Sequence, residues 1–289
     1  MKVDFFIVGA PKSGTTSLYH YLDEHPQVEM STQKEPDYFS DAAIQKQGLY
    51  YGNNRIDTVE KYYSLFNVEG KNVIFGEASV SYLFYKNVAS DIKKYNVNAK
   101  IIIMLRNPID RAFSHYLMDN RLGLVSDSFE EIIYKTSVNK KAHLYYQQYI
   151  QISEYAKQIA RYYKEFDADK IMLIDYEDFK KDVRKIVKRV YNFLDINEEY
   201  KADTNKKHNT FNMPKNKLIR FIYSFVFIRN ILTFLFPDSL VKSIRSVLFK
   251  QNKKPKLSDD TREYLKHFFK DDIMEVSQLL HKDFSKWIK

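Results

Sequence analysis

The chain has 289 residues, 44% of them hydrophobic, enough to bury one large core, and it has no cysteine, which excludes disulfides, thiolate metal sites and a cysteine nucleophile. Its formal net charge is +9, yet ten of the 46 Lys and Arg and one of the 37 Asp and Glu fall between Lys215 and Lys256. That segment carries the whole surplus and the rest nets to zero, which argues against a nucleic-acid-reading face. Apolar runs rich in Ile, Val and Phe recur at 3–9 (VDFFIVG), 72–77 (NVIFGE), 100–105 (KIIIML) and 170–176 (KIMLIDY), with helical patterns between them. The alternation predicts an α/β fold, a mostly parallel central sheet flanked by helices on both faces. A first strand starting near Val3 leaves no room for a signal peptide, so a cytoplasmic location is expected.

Residues 14–24 read as the first helix, with Leu18, Tyr21 and Leu22 inward and His25-Pro26 ending it. Asn107-Pro108 is an N-cap followed by Pro at the first helical position, opening a helix with Ile109, Ala112, Phe113, Tyr116 and Leu117 on one face. A longer helix is expected over 144–166, with Tyr145, Tyr149, Ile152, Ile159, Tyr163 and Phe166 near one stripe. Another fits 182–194, where Val183, Ile186, Val187, Val190 and Leu194 face inward. Residues 201–216 are polar and read as a loop; LSDDTREYLKHFF (257–269) reads as a capped helix before the closing FSKWIK. There is no internal repeat and no apolar run long and uncharged enough to span a bilayer. The expected organisation is one domain over 1–289, with a basic, apolar helical insertion over 210–256.

Directly behind the first strand stands GAPKSGTT (9–16), which holds two of the seven glycines at the spacing of an ATP-binding P-loop. Thr15 follows Gly14 where that motif needs its lysine, and the lysine is Lys12 instead. A loop between a buried strand and a helix N-terminus aims backbone N–H groups and a positive dipole end at one spot. Ser13, Thr15 and Thr16 add hydroxyls and Lys12 a mobile charge, so the loop reads as a phosphate site; the plain alternative is a βα turn with a hydroxyl cap. A triphosphatase or kinase would hold Mg²⁺ with an Asp at a neighbouring strand end. Here KIIIML runs into Arg106 of RNPIDRAFSHY, which repels a metal and attracts a second anion, with Ser114 about two helical turns on. Two anion sites and no metal imply a nucleotide phosphorylated at both ends.

These motifs carry a resemblance. GAPKSGTTSLYHYLDEHPQV resembles the 5′-phosphosulfate loop, and RNPIDRAFSHY the 3′-phosphate motif, of sulfotransferases that use 3′-phosphoadenosine-5′-phosphosulfate (PAPS). KEPDYF, GEASVSYL, KIMLIDYEDFKKD and FSKW are similar to the carbohydrate (heparan sulfate) type and its bacterial relatives, over nearly the whole chain apart from about 211–250. The resemblance implies a P-loop-like sheet, with Lys12, Ser13, Gly14, Thr15 and Thr16 at the 5′ end and Arg106 and Ser114 at the 3′-phosphate. Lys206, His208 and Asn209 of NKKHN would belong to a late cofactor loop. It implies no metal, and a glycan or glycolipid acceptor whose hydroxyl or amine receives sulfuryl. Lys12, set inside the loop, can reach the oxygen bridging sulfate and phosphate and stabilise charge on the leaving group.

The attacking group must lose a proton. Glu35 of KEPDYF matches the family's glutamate base; read alone, it is a solvated charge beside Lys34. Glu77, at the end of NVIFGE, is the alternative base, or a residue that orients Lys12 or Glu35. His25, in a His-Pro pair, and His115, beside Ser114, read as structural. Where heparan sulfate enzymes have a lysine after the glutamate of GEASVSYL, this chain has Ala78, so one cationic helper is absent.

NKLIRFIYSFVFIRNILTFLFP (216–237) is apolar nearly all round, and SLVKSIRSVLFK (239–250) is amphipathic and basic. The pair fits a peripheral contact with an anionic membrane, on the inner face; a helical lid over the acceptor cleft fits equally, and an acidic polysaccharide or protein partner is a third use. Two rival functions stay open, a P-loop kinase or NTPase, and a non-catalytic nucleotide- or polyanion-binding module.

Overall fold

The computed structural model describes residues 2–51, 55–67, 73–204, 213–214, 249–250 and 255–289. Five strands, β1 (Phe5–Gly9), β2 (Val28–Met30), β3 (Ile74–Ala78), β4 (Lys100–Leu105) and β5 (Ile171–Asp175), form one sheet in the order β2-β3-β1-β4-β5. Every pairing in it is parallel. A parallel sheet is covered on both faces, so its strands read as unbroken apolar runs rather than alternating ones. Every residue of β1 is buried. Phe6, Val8, Ile101, Ile103 and Leu105 pack into the core on one face, and Phe5, Ile7, Ile102 and Met104 into the core on the other.

The second face is covered by α1 (Thr15–Asp23) and α10 (Val183–Phe193), the latter through Ile186, Val187 and Val190. The first face is covered by α4 (Val88–Tyr95), α5 (Pro108–Arg121), α7 (Ala142–Tyr149), α8 (Ala156–Glu165) and α11 (Asp259–Leu279). Shorter helices are α2 (Asp41–Gln47), α3 (Val59–Tyr63), α6 (Phe129–Ile133) and α9 (Tyr176–Lys181). Asn107 caps α5 as expected, accepting from the Ile109 N–H at 3.0 Å, with Pro108 at the first position. The helix expected over 257–269 opens on Ser258 and runs on to Leu279, because Leu265, Phe269, Ile273 and Val276 continue its buried stripe.

The single helix expected over 144–166 is two helices, α7 and α8, separated by a 3-10 turn at Gln151–Ser153. Two buried side chains compete with helical hydrogen bonding there. The Arg111 guanidinium donates to the Gln148 and Tyr149 carbonyls (2.8 and 2.6 Å), which a continuous helix would use internally. The Asp272 carboxylate accepts from the Tyr155 and Ala156 N–H groups (2.8 and 3.0 Å) and so starts α8.

Among the described residues no helix is long and apolar enough to cross a membrane. The basic segment lies outside the described residues except for 255–256 and a two-residue antiparallel pairing, β6 (Met213–Pro214) with β7 (Phe249–Lys250).

Candidate functional site

In an open parallel sheet, ligands sit at the carboxyl ends of the strands where successive connections leave in opposite directions. The chain passes from β1 to β2 and β3 on one side and then to β4 and β5 on the other. At that end of the sheet opens a cleft of about 900 Å³, lined by the β1–α1 loop, the turn after β4, the start of α9 and the loops after β2 and β3.

The β1–α1 loop is shaped for close approach. Gly14 sits at φ 93°, and a Cβ there would lie 3.2 Å from the Tyr176 ring and 3.3 Å from Met104 and Phe179. Gly14 is the N-cap of α1, and no side chain caps the N–H groups of its first turn. The Ser13 hydroxyl is wholly buried without a hydrogen-bond partner. Lys12 Nζ points to the Met118 sulfur at 3.3 Å, a weak acceptor for an ammonium. Burial, reinforced by the charge of Arg121 and less by Arg106, pulls the Lys12 pKa down to about 8, against the opposing pull of Asp119 and Glu35. Asp119 lies below in a buried network, its Oδ2 accepting from Tyr50, Tyr51 and Tyr149 at 2.8, 2.6 and 2.9 Å.

Arg106 is one residue beyond β4, and Leu105 pairs with Asp175, so Arg106 and Tyr176 stand side by side past their strand ends. Its guanidinium lies 4.8 Å from the Tyr176 ring centroid, and Nη1 donates to the Lys12 carbonyl at 3.1 Å. Its Nε is buried without a partner. Ser114 lines the same cleft two turns into α5. The structure therefore brings Lys12, Gly14, Thr15, Thr16, Arg106 and Ser114 together around the cleft, while Ser13 of the same loop is wholly buried and does not line it. Lys206, His208 and Asn209 lie outside the described residues. Among the described residues, no group of three or more His, Cys, Asp or Glu is placed to hold a metal ion.

Glu35 reaches the cleft from the loop after β2. It and Asp37 are both left-handed (φ 60° and 54°), a conformation costing about 1 kcal/mol or more each outside glycine. Three contacts with the end of β3 and the loop after it hold them there. The Glu35 N–H donates to the Ala78 carbonyl (3.0 Å), the Asp37 N–H to Ser79 Oγ (3.0 Å), and Ser81 Oγ donates to Asp37 Oδ1 (2.5 Å). The Glu35 carboxylate is partly exposed and pairs with Lys34. Burial first, and the neighbouring Glu35 charge second, push the Asp37 pKa up to about 7.

Glu77, the other carboxylate weighed from sequence, is sealed from solvent and does not line the cleft. Tyr62 donates to it, as does Ser79 Oγ at 2.6 Å. Ser79 in turn accepts the Asp37 N–H, so Glu77 braces the Glu35–Asp37 loop from behind. Burial pushes the Glu77 pKa from 4.5 up to about 7. The folded chain thus holds this proton more tightly than the unfolded one, and the resulting stabilisation, complete below about pH 4.5, is lost as pH rises through about 7. The effect is on the order of 3 kcal/mol. Denaturant titrations between pH 5 and 8 should show a shallower pH dependence for Glu77→Gln than for the native chain; an unchanged slope would contradict a buried Glu77 with a raised pKa.

Of the two histidines singled out from sequence, His25 lies away from the cleft and His115 is among its lining residues. His25 Nε2 meets the Asn197 carbonyl at 2.9 Å, and the ring packs against Tyr191 and Tyr200. His115 is buried against Tyr51 and Arg111, and burial with the Arg111 charge holds its pKa well below the usual value. The sequence reading missed Asp37, Tyr176 and Arg121. The register β4–β5 places Tyr176 beside Arg106, and Ser114, Met118 and Arg121 follow the i, i+4, i+7 spacing of one helix face.

The family model described as a sulfotransferase domain matches residues 2–275. Human carbohydrate sulfotransferase 15 is 25% identical over 247 residues, covering 66% of this chain and 43% of that protein. Mouse bifunctional heparan sulfate N-deacetylase/N-sulfotransferase 1 is 25% identical over 282 residues, covering 96% of this chain and 29% of that protein. The chain spans less than half the length of these curated relatives. Among solved structures, a sulfotransferase from Alicyclobacillus acidocaldarius matches with a TM-score of 0.73 and 28% identity, covering 100% of each chain.

Proposed function

The chain belongs to the sulfotransferase domain family, and from that premise we propose that it moves a sulfuryl group from PAPS to a hydroxyl or amine of a glycan or glycolipid. The observation that carries this reading is a cationic cradle with unmet donors: the buried Ser13 hydroxyl, the orphaned Arg106 Nε and the Lys12 ammonium facing a thioether. Buried donors left without partners are costly, and an anion repays them. Lys12, Ser13 and the first turn of α1 would hold the phosphosulfate end, and Arg106 and Ser114 the 3′-phosphate.

PAPS supplies an activated sulfuryl group. The residues supply the rest. Glu35 accepts the proton of the attacking hydroxyl or amine as the new bond to sulfur forms. The electron pair of the broken sulfur–oxygen bond stays on the phosphate oxygen, where the Lys12 charge stabilises it. The Glu77–Ser79 brace keeps the base loop in its strained, left-handed form without entering the chemistry.

Removing Arg106 takes a charged partner from the 3′-phosphate and frees the Lys12 carbonyl it holds. Arg106→Ala should weaken binding of 3′-phosphoadenosine 5′-phosphate (PAP) by about 2–4 kcal/mol. Calorimetry giving native PAP affinity for that variant would remove Arg106 from the nucleotide site.

A further inference from the structure

The buried polar cluster on α5 has no part in sulfuryl transfer as described above. Lys12 Nζ rests on the Met118 sulfur, and the next residue of the helix, Asp119, is wholly buried. Asp119 Oδ2 takes three phenol donors, Tyr50, Tyr51 and Tyr149, whereas Oδ1 is buried with no partner. Tyr51 and His115 line the cleft, and His115 Nε2 lies 2.8 Å from the Tyr51 oxygen. The Tyr51 proton is given to Asp119, so Nε2 carries the proton of this second contact. On the other side of the ring Arg111 has only donors to offer, so its Nη1 donates to Nδ1 at 3.1 Å. The Gln148 carbonyl, also 3.1 Å from Nδ1, receives Arg111 Nη2 instead, at 2.8 Å. Both sides select one neutral tautomer, and the donors run one way, from Arg111 through His115 and Tyr51 to Asp119.

Resting on the sulfotransferase reading above, we propose that Asp119 is a positioning residue for Lys12. Its carboxylate, fixed by three phenols and backed by the Arg111–His115–Tyr51 chain, keeps Lys12 an ammonium in the cleft until the phosphosulfate arrives. Lys12 needs such a counter-charge. It is desolvated and feels the cations Arg121 of α5 and Arg106 beyond β4, opposed by Asp119 and, from the loop after β2, by Glu35. Glu35 is partly exposed, pairs with Lys34, and loses its charge when it takes the acceptor's proton. Asp119 is sealed from solvent and does not line the cleft, so its charge persists through turnover. Burial raises the Asp119 pKa to about 6, and the Tyr51, Tyr50 and Tyr149 hydrogen bonds with the Lys12 charge pull against that rise. The carboxylate is therefore ionised where Lys12 titrates. Burial holds the His115 pKa well below its ordinary value and those of the three phenols well above theirs, so these neighbours stay neutral there.

The test is a pH titration of the free protein by NMR, with lysine labelled at ¹³Cε and the Lys12 signal assigned by its loss in Lys12→Met. Native Lys12 should titrate near pH 8. Asp119→Asn keeps the side-chain shape: its oxygen can accept the three phenols while the amide nitrogen takes the place of the unpartnered Oδ1. The Lys12 midpoint should then fall by about one pH unit or more, as loss of a nearby counter-charge at an effective dielectric of about 20 demands. Damage to the fold has the opposite sign, because an exposed lysine returns toward 10.5. Adding Arg121→Gln to Asp119→Asn should bring the midpoint back toward the native value. The alkaline limb of kcat/KM for PAPS should move with the NMR midpoint. Should Asp119→Asn not fold, the native chain decides, since its Lys12 signal should show a second inflection near pH 6 that moves to higher pH in Tyr51→Phe. An unchanged or raised midpoint in folded Asp119→Asn, or a native titration without that inflection, would overturn the proposal. Calorimetry with PAP keeps the two readings apart. A native chain that does not bind PAP would remove the sulfotransferase reading, while the Lys12 titration would still report on Asp119.

Discussion

Glu35→Gln is expected to abolish sulfuryl transfer while PAP affinity stays within about twofold of native. The amide keeps the shape of the side chain but cannot take a proton, and general-base catalysis alone contributes about 10²–10⁴-fold. The donor cradle does not include Glu35, which acts on Lys12 only through its charge. The rival base is now a different one from that weighed on sequence. Glu77 is walled in behind Ser79 and Tyr62, whereas Asp37 lines the cleft two residues from Glu35 with its pKa pushed up to about 7. Asp37→Asn should lower kcat less than Glu35→Gln does. If Glu35→Gln turned over normally and Asp37→Asn did not, the base would be Asp37.

Lys12→Ala should lower kcat by about 10²-fold or more, as the loss of a charge aimed at the leaving group does. Its pH signature is specific. In the free protein the Lys12 ammonium loses its proton near pH 8, and only the protonated form can meet the phosphosulfate. The profile of kcat/KM for PAPS, which reports the free enzyme, should therefore fall as pH rises through about 8. Lys12→Ala should lack that alkaline limb. A variant that kept the same limb would place the titration elsewhere, and one with native kcat would remove Lys12 from the chemistry.

Much of this site was legible because its parts are local in sequence. Lys12 through Thr16 follow a five-residue buried strand, and Arg106 with Ser114 sit on one strand-turn-helix unit. Four of the five sheet strands announced themselves as apolar runs because a parallel sheet is buried on both faces. The fifth, Val28–Met30, is three residues long and has no pattern to read. The break between α7 and α8 depends on Arg111, 37 and 38 residues from the carbonyls it engages, and on Asp272, 116 and 117 residues from the N–H groups it accepts from. Periodicity cannot see such competitors. Asp37 escaped notice for a similar reason: in sequence it is one loop acid, and only its contacts with Ser79 and Ser81 put it in the cleft.

The most direct test follows label from PAPS carrying ³⁵S in the sulfuryl group, with octyl glucoside as acceptor and [γ-³²P]ATP with Mg²⁺ in a parallel reaction. The account predicts ³⁵S in an organic sulfate, matched mole for mole by PAP, and no release of ³²P. Mg²⁺-dependent turnover of ATP, with the ³⁵S still on PAPS, would contradict it.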